Sequence, residues 1–436
     1  MTQTQPTSRG PSVRESQGPD ALGSLEVVPL GTRLDVPVVG CDAGSVRAKA
    51  PGTQVAMGES LVDGDAVAVA PADGRVLGVV QATLTNGRHV PAVSIEVLPT
   101  IDDNEDAAEQ QLSLGVTPLP AAAAPEAHDI AHWTSLMRQG GVWADRMVCP
   151  DLLGQFTQLA RRSADTVVCN LLDDDAQLRL NAVLVRHAAD LIAAAVGRLA
   201  KLLSARQPVF AIGQGWSAAL RRQLEQAVGQ INGRIVALAE HYPQTAPALL
   251  LRELFRRPLH SGQSPVEKGV LLLDGAAALS MGECMLHRRA MLRVPLAVHD
   301  RVQQRTHYLL ATVGMSIREV LNWLGINVDG LGICAGHMLR QIELPADAVI
   351  AAAELQLHVM PREPGAICGP CTRCWWCAEH CPMGVEPACI AEAAHQEDPQ
   401  QAERAGIGWC IECGICSSVC PSQLPLLFAI RKLKNA

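Results

Sequence analysis

The middle of the chain alternates short apolar runs with longer stretches in which apolar residues recur at helical spacing. Four runs have the length and composition of buried strands, namely Thr166–Leu172, Pro208–Gly213, Arg234–Glu240 and Gly269–Gly275. The other stretches predict four helices, over Asp129–Gln139, Ala176–Ala205, Ser217–Gly229 and Ala246–Phe255. Apolar strands that alternate with helices are typical of a parallel sheet in an α/β layer. We therefore expect a Rossmann-like α/β domain over residues 129–289.

The region before it has the pattern of an all-β module. Four runs, LEVVPL, VAVAPA, GRVLGVVQA and VPAVSIEV, lie between Leu25 and Leu98. Turns such as Asp63-Gly64 and Asp73-Gly74 separate them, which predicts a small barrel sandwich over residues 25–100, similar to lipoyl-like domains. The Asp73-Gly74 hairpin has no lysine to modify. We therefore expect a packing module rather than a swinging arm.

Three further segments have compositions of their own. Residues 1–24 are rich in Ser, Pro, Gln and Gly without an apolar core, which predicts a disordered tail and not a signal peptide. Residues 101–128 are acidic and then Ala/Pro-rich, which predicts a linker. Residues 290–360 predict two strands and a helix that fit a β-grasp module of the SLBB-like kind. Within it, Ser316 and Glu319 have the spacing of a helix capping box.

Composition narrows the classes of function. The chain is 48% hydrophobic but only 3% aromatic, so its cores must be aliphatic, and its net charge of −8 argues against nucleic acid as a partner. We expect no stretch to reach the ~20 apolar residues of a membrane span, because Arg198 and Lys201 interrupt the most apolar helix, around Leu191–Leu203. Fifteen cysteines in a chain without a secretion signal indicate a reducing, cytoplasmic environment.

Residues 361–436 contain two cysteine runs of identical spacing. Each follows the pattern C-x2-C-x2-C-x3-C-P, which is typical of [4Fe–4S] clusters. In two-cluster ferredoxins the fourth cysteine of each run binds the other cluster. The first cluster is therefore assigned Cys371, Cys374, Cys377 and Cys420, and the second cluster Cys410, Cys413, Cys416 and Cys381. We expect an α-helical ferredoxin-type domain, in a multidomain fold of class α/β plus β.

Zinc and disulfides are the alternatives to iron–sulfur clusters. A single C-x-x-C pair is shared with zinc sites and redox pairs, whereas two quartets each closed by Cys-Pro favour clusters. Cys368 cannot begin a shifted quartet, since its fourth position is Ala378. Cys389 is expected not to be a ligand. Trp375 and Trp376 lie within the first run, and we expect them to cover the first cluster and exclude water.

The order of these modules resembles that of the C subunit of the Rnf electron-transport complex. The cobalamin reductase of propanediol-utilising microcompartments has the same order, and the NADH-binding flavoprotein subunit of respiratory complex I is similar in its α/β and β-grasp parts. The resemblance covers roughly residues 25–436. It rests on CPMGVEPACI at 381–390, CIECGICSSVCPSQLPL at 410–426 and, less sharply, the stretch 240–279.

The resemblance implies FMN binding and NADH oxidation through a loop of the type G-x-G-G-A-G-F-P. Only Gly140 and Gly141 of that loop remain here, and Trp143 and Asp145 bring bulk and negative charge to the expected place of a phosphate. An acidic N-G-A-E-C-E-P run has become the stretch 169–175, and a Tyr-Pro-x-Gly-x-Glu run has become 242–247 without its Gly and Glu. These departures favour loss of FMN and nicotinamide binding, with both clusters kept.

The leading hypothesis is an electron-transfer protein without catalytic residues of its own. Two [4Fe–4S] clusters would relay single electrons between redox partner proteins: a dehydrogenase or a ferredoxin- or flavodoxin-like donor, and a reductase acceptor. Two alternatives stay open: an FMN-containing NAD(P)H-dependent reductase, and a scaffold with structural clusters. Whether the chain is an enzyme stays open too, as do attachment to a membrane complex, residence in a microcompartment and a free cytoplasmic location.

Overall fold

The computed structural model describes residues 22–40, 46–64, 66–98, 130–175, 177–256, 259–260, 263–340, 342–362 and 368–434. The predicted linker and residues 1–21 of the predicted tail lie outside this part of the chain. Within it the protein is a mixed α/β molecule with three main sheets and a helical C-terminal region.

The N-terminal strands divide between two sheets. Strand β1 (Leu25–Val27) pairs in parallel with a strand near residue 308 and leaves the first module altogether. The strands that stay are antiparallel, in the order β2-β5-β4-β3. Their bounds are Arg33–Pro37 for β2, Gln54–Val55 for β3, Gly74–Thr83 for β4 and His89–Val97 for β5. The assignment of LEVVPL to this module is therefore wrong, because hydrophobicity does not specify which sheet edge a short strand joins. The run VAVAPA forms only isolated bridges, such as Val39 to Val67.

The central sheet has the four predicted parallel strands in the order β8-β7-β6-β9. They are β6 (Thr166–Asn170), β7 (Val209–Gly213), β8 (Arg234–Leu238) and β9 (Val270–Asp274). Every residue of β6, β7 and β9 is buried, as expected for parallel strands covered on both faces. Helices surround the sheet: α1 (Ile130–Gln139), α2 (Leu152–Ala160), α3 (Leu180–Leu202), α4 (Ala218–Gly229), α5 (Pro247–Phe255) and α6 (Gly275–Leu286).

Helices α2 and α6 were not predicted. Helix α6 has the sequence GAAALSMGECML and is buried from Gly275 to Met285, so it lacks the alternating polar face by which a surface helix is recognised. It packs closely on α3, since a Cβ at Gly282 would lie 2.8 Å from a methyl of Leu191. Asp274, the last residue of β9, caps α6 by accepting a bond from the Ala277 N–H.

Helix α3 is long and apolar enough to cross a membrane by length and composition alone. The expectation that no stretch reaches that length is therefore wrong. In the structure 61% of its most apolar 18-residue window is buried inside the protein. Packing against α6 accounts for the apolar composition of the buried part. A helix in the core of a protein can have the same length and composition as a membrane span.

The third sheet is mixed and has six strands in the order β1-β11-β10-β14-β12-β13. They are β10 (Arg293–Asp300), β11 (Arg305–Thr312), β12 (Leu331–Ala335), β13 (Ile342–Leu344) and β14 (Gln356–Pro361), together with β1. Strands β10 and β11 form an antiparallel hairpin, and β14 runs parallel to β10. Helix α7 (Ile317–Trp323) begins with the predicted capping box of Ser316 and Glu319, which is confirmed.

The C-terminal region is a set of short helices with its own small core. They are α8 (Trp376–Glu379), α9 (Pro387–Gln396), α10 (Pro399–Arg404), α11 (Ile415–Ser418) and α12 (Leu426–Lys434). Val385, Ile390 and Ile430 are buried at its centre. Met383 and Ile411 pack against apolar residues of the central sheet, so the C-terminal region shares an apolar contact with the α/β part.

Candidate functional site

Four cysteines line a cavity in the C-terminal region. The cavity has an empty volume of about 340 Å³, and its cysteines are Cys381, Cys410, Cys413 and Cys416. They are the set assigned to the second cluster, with one member from the first run and three from the second. Apolar side chains, among them Ile415, Leu427 and Ile430, complete the wall. Cys410, Cys413 and Cys416 are all less than 10% exposed.

The backbone of the second run curls around this cavity. Glu412 has φ +56° and Gly414 has φ +80°, which turns the chain twice within five residues. Burial raises the pKa of the Cys413 thiol to about 11, and a bond from the Ile415 N–H opposes that rise. Burial likewise raises the pKa of Cys416 to about 12. Such thiols ionise at neutral pH when a metal takes the place of the proton.

The other quartet lines a second, more open cavity. Its cysteines are Cys371, Cys374, Cys377 and Cys420, the set assigned to the first cluster, with Cys389 as a fifth. The empty volume of about 1900 Å³ runs out into solvent. Cys371 and Cys374 are exposed and only Cys377 is buried. The run repeats the conformation of the second, with φ +54° at Arg373 and +65° at Trp375.

These residues fit cubane clusters better than single metal ions. In the part of the chain that the structure describes, no three His, Cys, Asp or Glu side chains are placed to hold one ion. The ligands of one tetrahedral zinc would lie within about 4 Å of each other, since each Zn–S bond is about 2.3 Å. A cubane bonds one thiolate at each of four irons, so its sulfurs stand around a volume. The described cysteines are all free of disulfides.

The two tryptophans of the first run do not behave alike. Trp375 lines the first cavity whereas Trp376 does not, and they are 54% and 51% exposed. The geometry therefore supports a covering role for Trp375, and the same role for Trp376 stays a prediction. Phe428, 72% exposed, lies at the mouth of the same cavity.

The second site is bonded to the rest of the protein from several directions. The Tyr242 hydroxyl donates to the Cys413 carbonyl oxygen at 2.6 Å. Arg431 donates to the Arg340 carbonyl oxygen at 2.8 Å and to the Glu412 carboxylate at 3.2 Å. The structure thus anchors the second run to the central and six-stranded sheets.

Gly140 and Gly141 lie at the end of α1, and the rest of the predicted flavin loop follows them. A Cβ at Gly141, which has φ +67°, would lie 3.3 Å from a methyl of Val69 in the N-terminal module. Trp143 and Asp145 line a groove beside that module, and Asp145 pairs with Arg88. The structure therefore places Trp143 and Asp145 on this groove, and their effect on a flavin phosphate stays a prediction.

Charged side chains fill the cavity at the carboxyl ends of β6 and β9 instead. Arg146 donates to the two carboxylate oxygens of Asp274 at 2.6 and 2.5 Å. Across the cavity, Arg340 lies 3.5 Å from Glu354. Burial raises the pKa of Asp174, a third lining carboxyl, to about 6.

This cavity is a poor match for FMN. Three carboxyl groups line it, and both of its guanidinium groups already have a carboxylate partner. A phosphate placed against Arg146 would have to displace a buried ion pair, which leaves an uncompensated charge. The residues present therefore do not fit the group.

Sequence reasoning missed Arg146, Asp274 and the anchoring role of Tyr242. Asp274 had a signal, because it ends an apolar strand, and charged groups gather at the carboxyl ends of parallel strands. Arg146 had none, since its partner lies 128 residues away in the sequence.

Several known proteins are similar to parts of this chain. The sequence model of the Nuo51 FMN-binding domain matches residues 155–280, which begins after the glycine loop. The C subunit of the ion-translocating oxidoreductase complex of Pasteurella multocida is 24% identical over 284 residues, 63% of this chain and 34% of that protein. The corresponding protein of Buchnera aphidicola is 32% identical over 208 residues, 46% of this chain and 44% of its own. A crystal structure of an NAD+-reducing [NiFe]-hydrogenase is similar with a TM-score of 0.45 and 14% identity, over 62% of this chain and 50% of that one.

The names of the sequence relatives first define a class of protein, a subunit of an ion-translocating oxidoreductase complex. Within that class, the relatives named as C subunits confirm the resemblance to the Rnf C subunit that the sequence predicted. The chain spans about a third of the length of the Pasteurella relative and about two thirds of the Rhodobacter capsulatus one, at 34% and 64%. The likeness to the cobalamin reductase stays a prediction.

Proposed function

We propose that this chain relays single electrons through two [4Fe–4S] clusters between redox partner proteins. The observation that supports it most is the crossing of the two cysteine runs. Each cavity takes three cysteines from one run and the last cysteine of the other. That exchange is the ligand arrangement of two-cluster ferredoxins.

When bound, the clusters supply one-electron oxidation and reduction. The protein's own residues hold and surround them. Cys371, Cys374, Cys377 and Cys420 hold the first, and Cys410, Cys413, Cys416 and Cys381 hold the second. The apolar wall and the backbone N–H groups of the second cavity would set its potential through burial and hydrogen bonding.

The domains proposed for this function follow the sheets. They are a barrel-sandwich module up to about residue 100, a Rossmann-like domain over 129–289, a β-grasp module over 290–360 and a ferredoxin-type domain over 361–436. The β-grasp module takes β1 from the N-terminal segment as an additional strand. A partner protein exchanges electrons at the first cluster, because Cys371 and Cys374 are exposed whereas three cysteines of the second site are buried.

A flavin-containing NAD(P)H reductase is the second candidate, favoured by the match to an FMN-binding domain. Against it stand the Arg146–Asp274 pair and the carboxyl groups of the matching cavity. In the proposed function the chain binds no flavin of its own, and a separate dehydrogenase or reduced carrier supplies its electrons. The names of the relatives favour a membrane-attached, ion-translocating complex over a microcompartment as its setting.

Cofactor content after anaerobic purification tests the proposal. We expect about eight irons and eight sulfides per chain, no flavin, reduction by dithionite and no bleaching by NADH. Eight irons with one FMN and bleaching by NADH would replace the proposal with the reductase. Clusters that dithionite does not reduce would indicate a structural role.

A further inference from the structure

Tyr242 touches the second cluster site from outside its ligand loop. It lies in the segment between β8 and α5, and its hydroxyl donates to the Cys413 carbonyl oxygen at 2.6 Å. Tyr242 is absent from the wall of the cavity that the four cysteines line. The contact therefore reaches the backbone of a ligand residue and not the cluster volume itself.

A second ring fixes the position of Tyr242. The ring of His337 stacks on that of Tyr242 with 3.6 Å between centroids and 10° between planes. The Leu339 N–H donates to His337 Nδ1 at 3.3 Å, which fixes the imidazole in turn. His337 also lines the charged cavity, so the stack spans the space between that cavity and the second site.

The backbone beside Cys413 packs closely against the segment that follows β12. Gly414 has φ +80°, and a Cβ there would overlap the Leu339 carbonyl oxygen. A peptide group is planar, so a bond that fixes the Cys413 carbonyl also fixes the Gly414 N–H on the opposite edge. Gly414 lines the cavity together with Cys413.

We propose that Tyr242, held by His337, is a positioning residue that raises the reduction potential of the second cluster. A phenol that donates to the carbonyl of a ligating cysteine withdraws negative charge from the ligand, and it holds the adjoining peptide in one orientation. Withdrawal of negative charge favours the more negative, reduced state. The inference rests on the proposed function, since it requires a cluster on Cys410, Cys413, Cys416 and Cys381.

Tyr242→Phe tests the inference, because it keeps the stacked ring and removes only the donor. Both cluster potentials are measured in the anaerobically purified protein by redox titration followed by EPR. We expect one potential to fall, so that the reduced-to-oxidised ratio at fixed potential drops about threefold to tenfold, where tenfold equals about 59 mV for one electron. The other potential should stay unchanged and serve as an internal reference.

Two further variants separate positioning from general stability. His337→Ala should lower the same potential by less, and His337→Phe should restore it by restoring the stack. Tyr308→Phe is the matched control: Tyr242 and Tyr308 are the two tyrosines of the chain, and the Tyr308 hydroxyl accepts from the Arg179 N–H at 3.0 Å. It should leave both potentials unchanged even where it lowers the melting temperature.

Iron content distinguishes failure of the inference from failure of the proposed function. Eight irons in wild type and Tyr242→Phe with two unchanged potentials would overturn the inference and leave the relay intact. Equal shifts of both potentials would also overturn it, because they indicate a global effect. A wild-type protein without a second cluster would refute the proposed function itself and the inference with it.

Discussion

The two cysteine sites have the same backbone but opposite surroundings. Positive φ angles occur at equivalent positions, Arg373 and Trp375 in the first run, Glu412 and Gly414 in the second. The first cavity opens to solvent between aromatic side chains, whereas the second lies against the sheets and receives bonds from Tyr242 and other residues outside the run. The same ligand motif therefore defines both cluster sites. The packing around each motif decides which cluster is accessible to a partner protein and which cluster lies against the sheets.

The largest expected effect separates the two sites by ligand loss. Cys413→Ser should remove about four irons and destabilise the attachment of the C-terminal region, because its loop is bonded to Tyr242 and encloses the buried cavity. Cys374→Ser should remove a similar amount of iron with a smaller loss of thermal stability, since that cysteine is exposed. Iron analysis and EPR follow the loss of a cluster, and a melting curve follows the loss of thermal stability. A Cys413→Ser protein with wild-type iron and EPR would refute the ligand assignment.

The second expected effect compares the buried ion pair of the charged cavity with an exposed ion pair. Arg146→Ala leaves Asp274 buried without its cation, which should cost about 3–5 kcal/mol of unfolding free energy. Arg88→Ala removes an exposed pair with Asp145 and should cost only ~0–1 kcal/mol. Denaturant unfolding compares the two variants. Equal effects would mean that the charged cavity does not stabilise the sheets.

A third effect contrasts the equivalent positions Gly414 and Trp375. Gly414→Ala combines a positive φ with a clash against the Leu339 carbonyl oxygen, so we expect a loss of about 1–3 kcal/mol. Trp375→Gly removes a half-exposed ring and relieves a left-handed residue, which costs roughly 1–2 kcal/mol in an L-amino acid. It should therefore be neutral or slightly stabilising. A destabilised Trp375→Gly protein would show that the first site also relies on packing.

Sequence reasoning reached the elements with strong local signals. The four parallel strands and the capping box at Ser316 follow from apolar runs and cap chemistry, and the structure has both. The membership of β1 in the six-stranded sheet and the Arg146–Asp274 pair could not be predicted, because each depends on residues far apart in the chain. The spacing of the cysteines predicted two groups of four, and the cavities contain those groups. What spacing does not encode is which group is buried.

The smallest expected effect concerns Cys389, the fifth cysteine at the first cavity. It lies on α9 outside both runs, half-buried, and burial together with the nearby Glu386 raises the pKa of its thiol. The first run together with Cys420 already supplies four ligands, and Cys389 belongs to neither run. Cys389→Ser should therefore keep about eight irons per chain and both EPR signals. Loss of about four irons would mean that Cys389 replaces one of the exposed cysteines, and that solvent exposure, rather than spacing, selects the ligands of the first site.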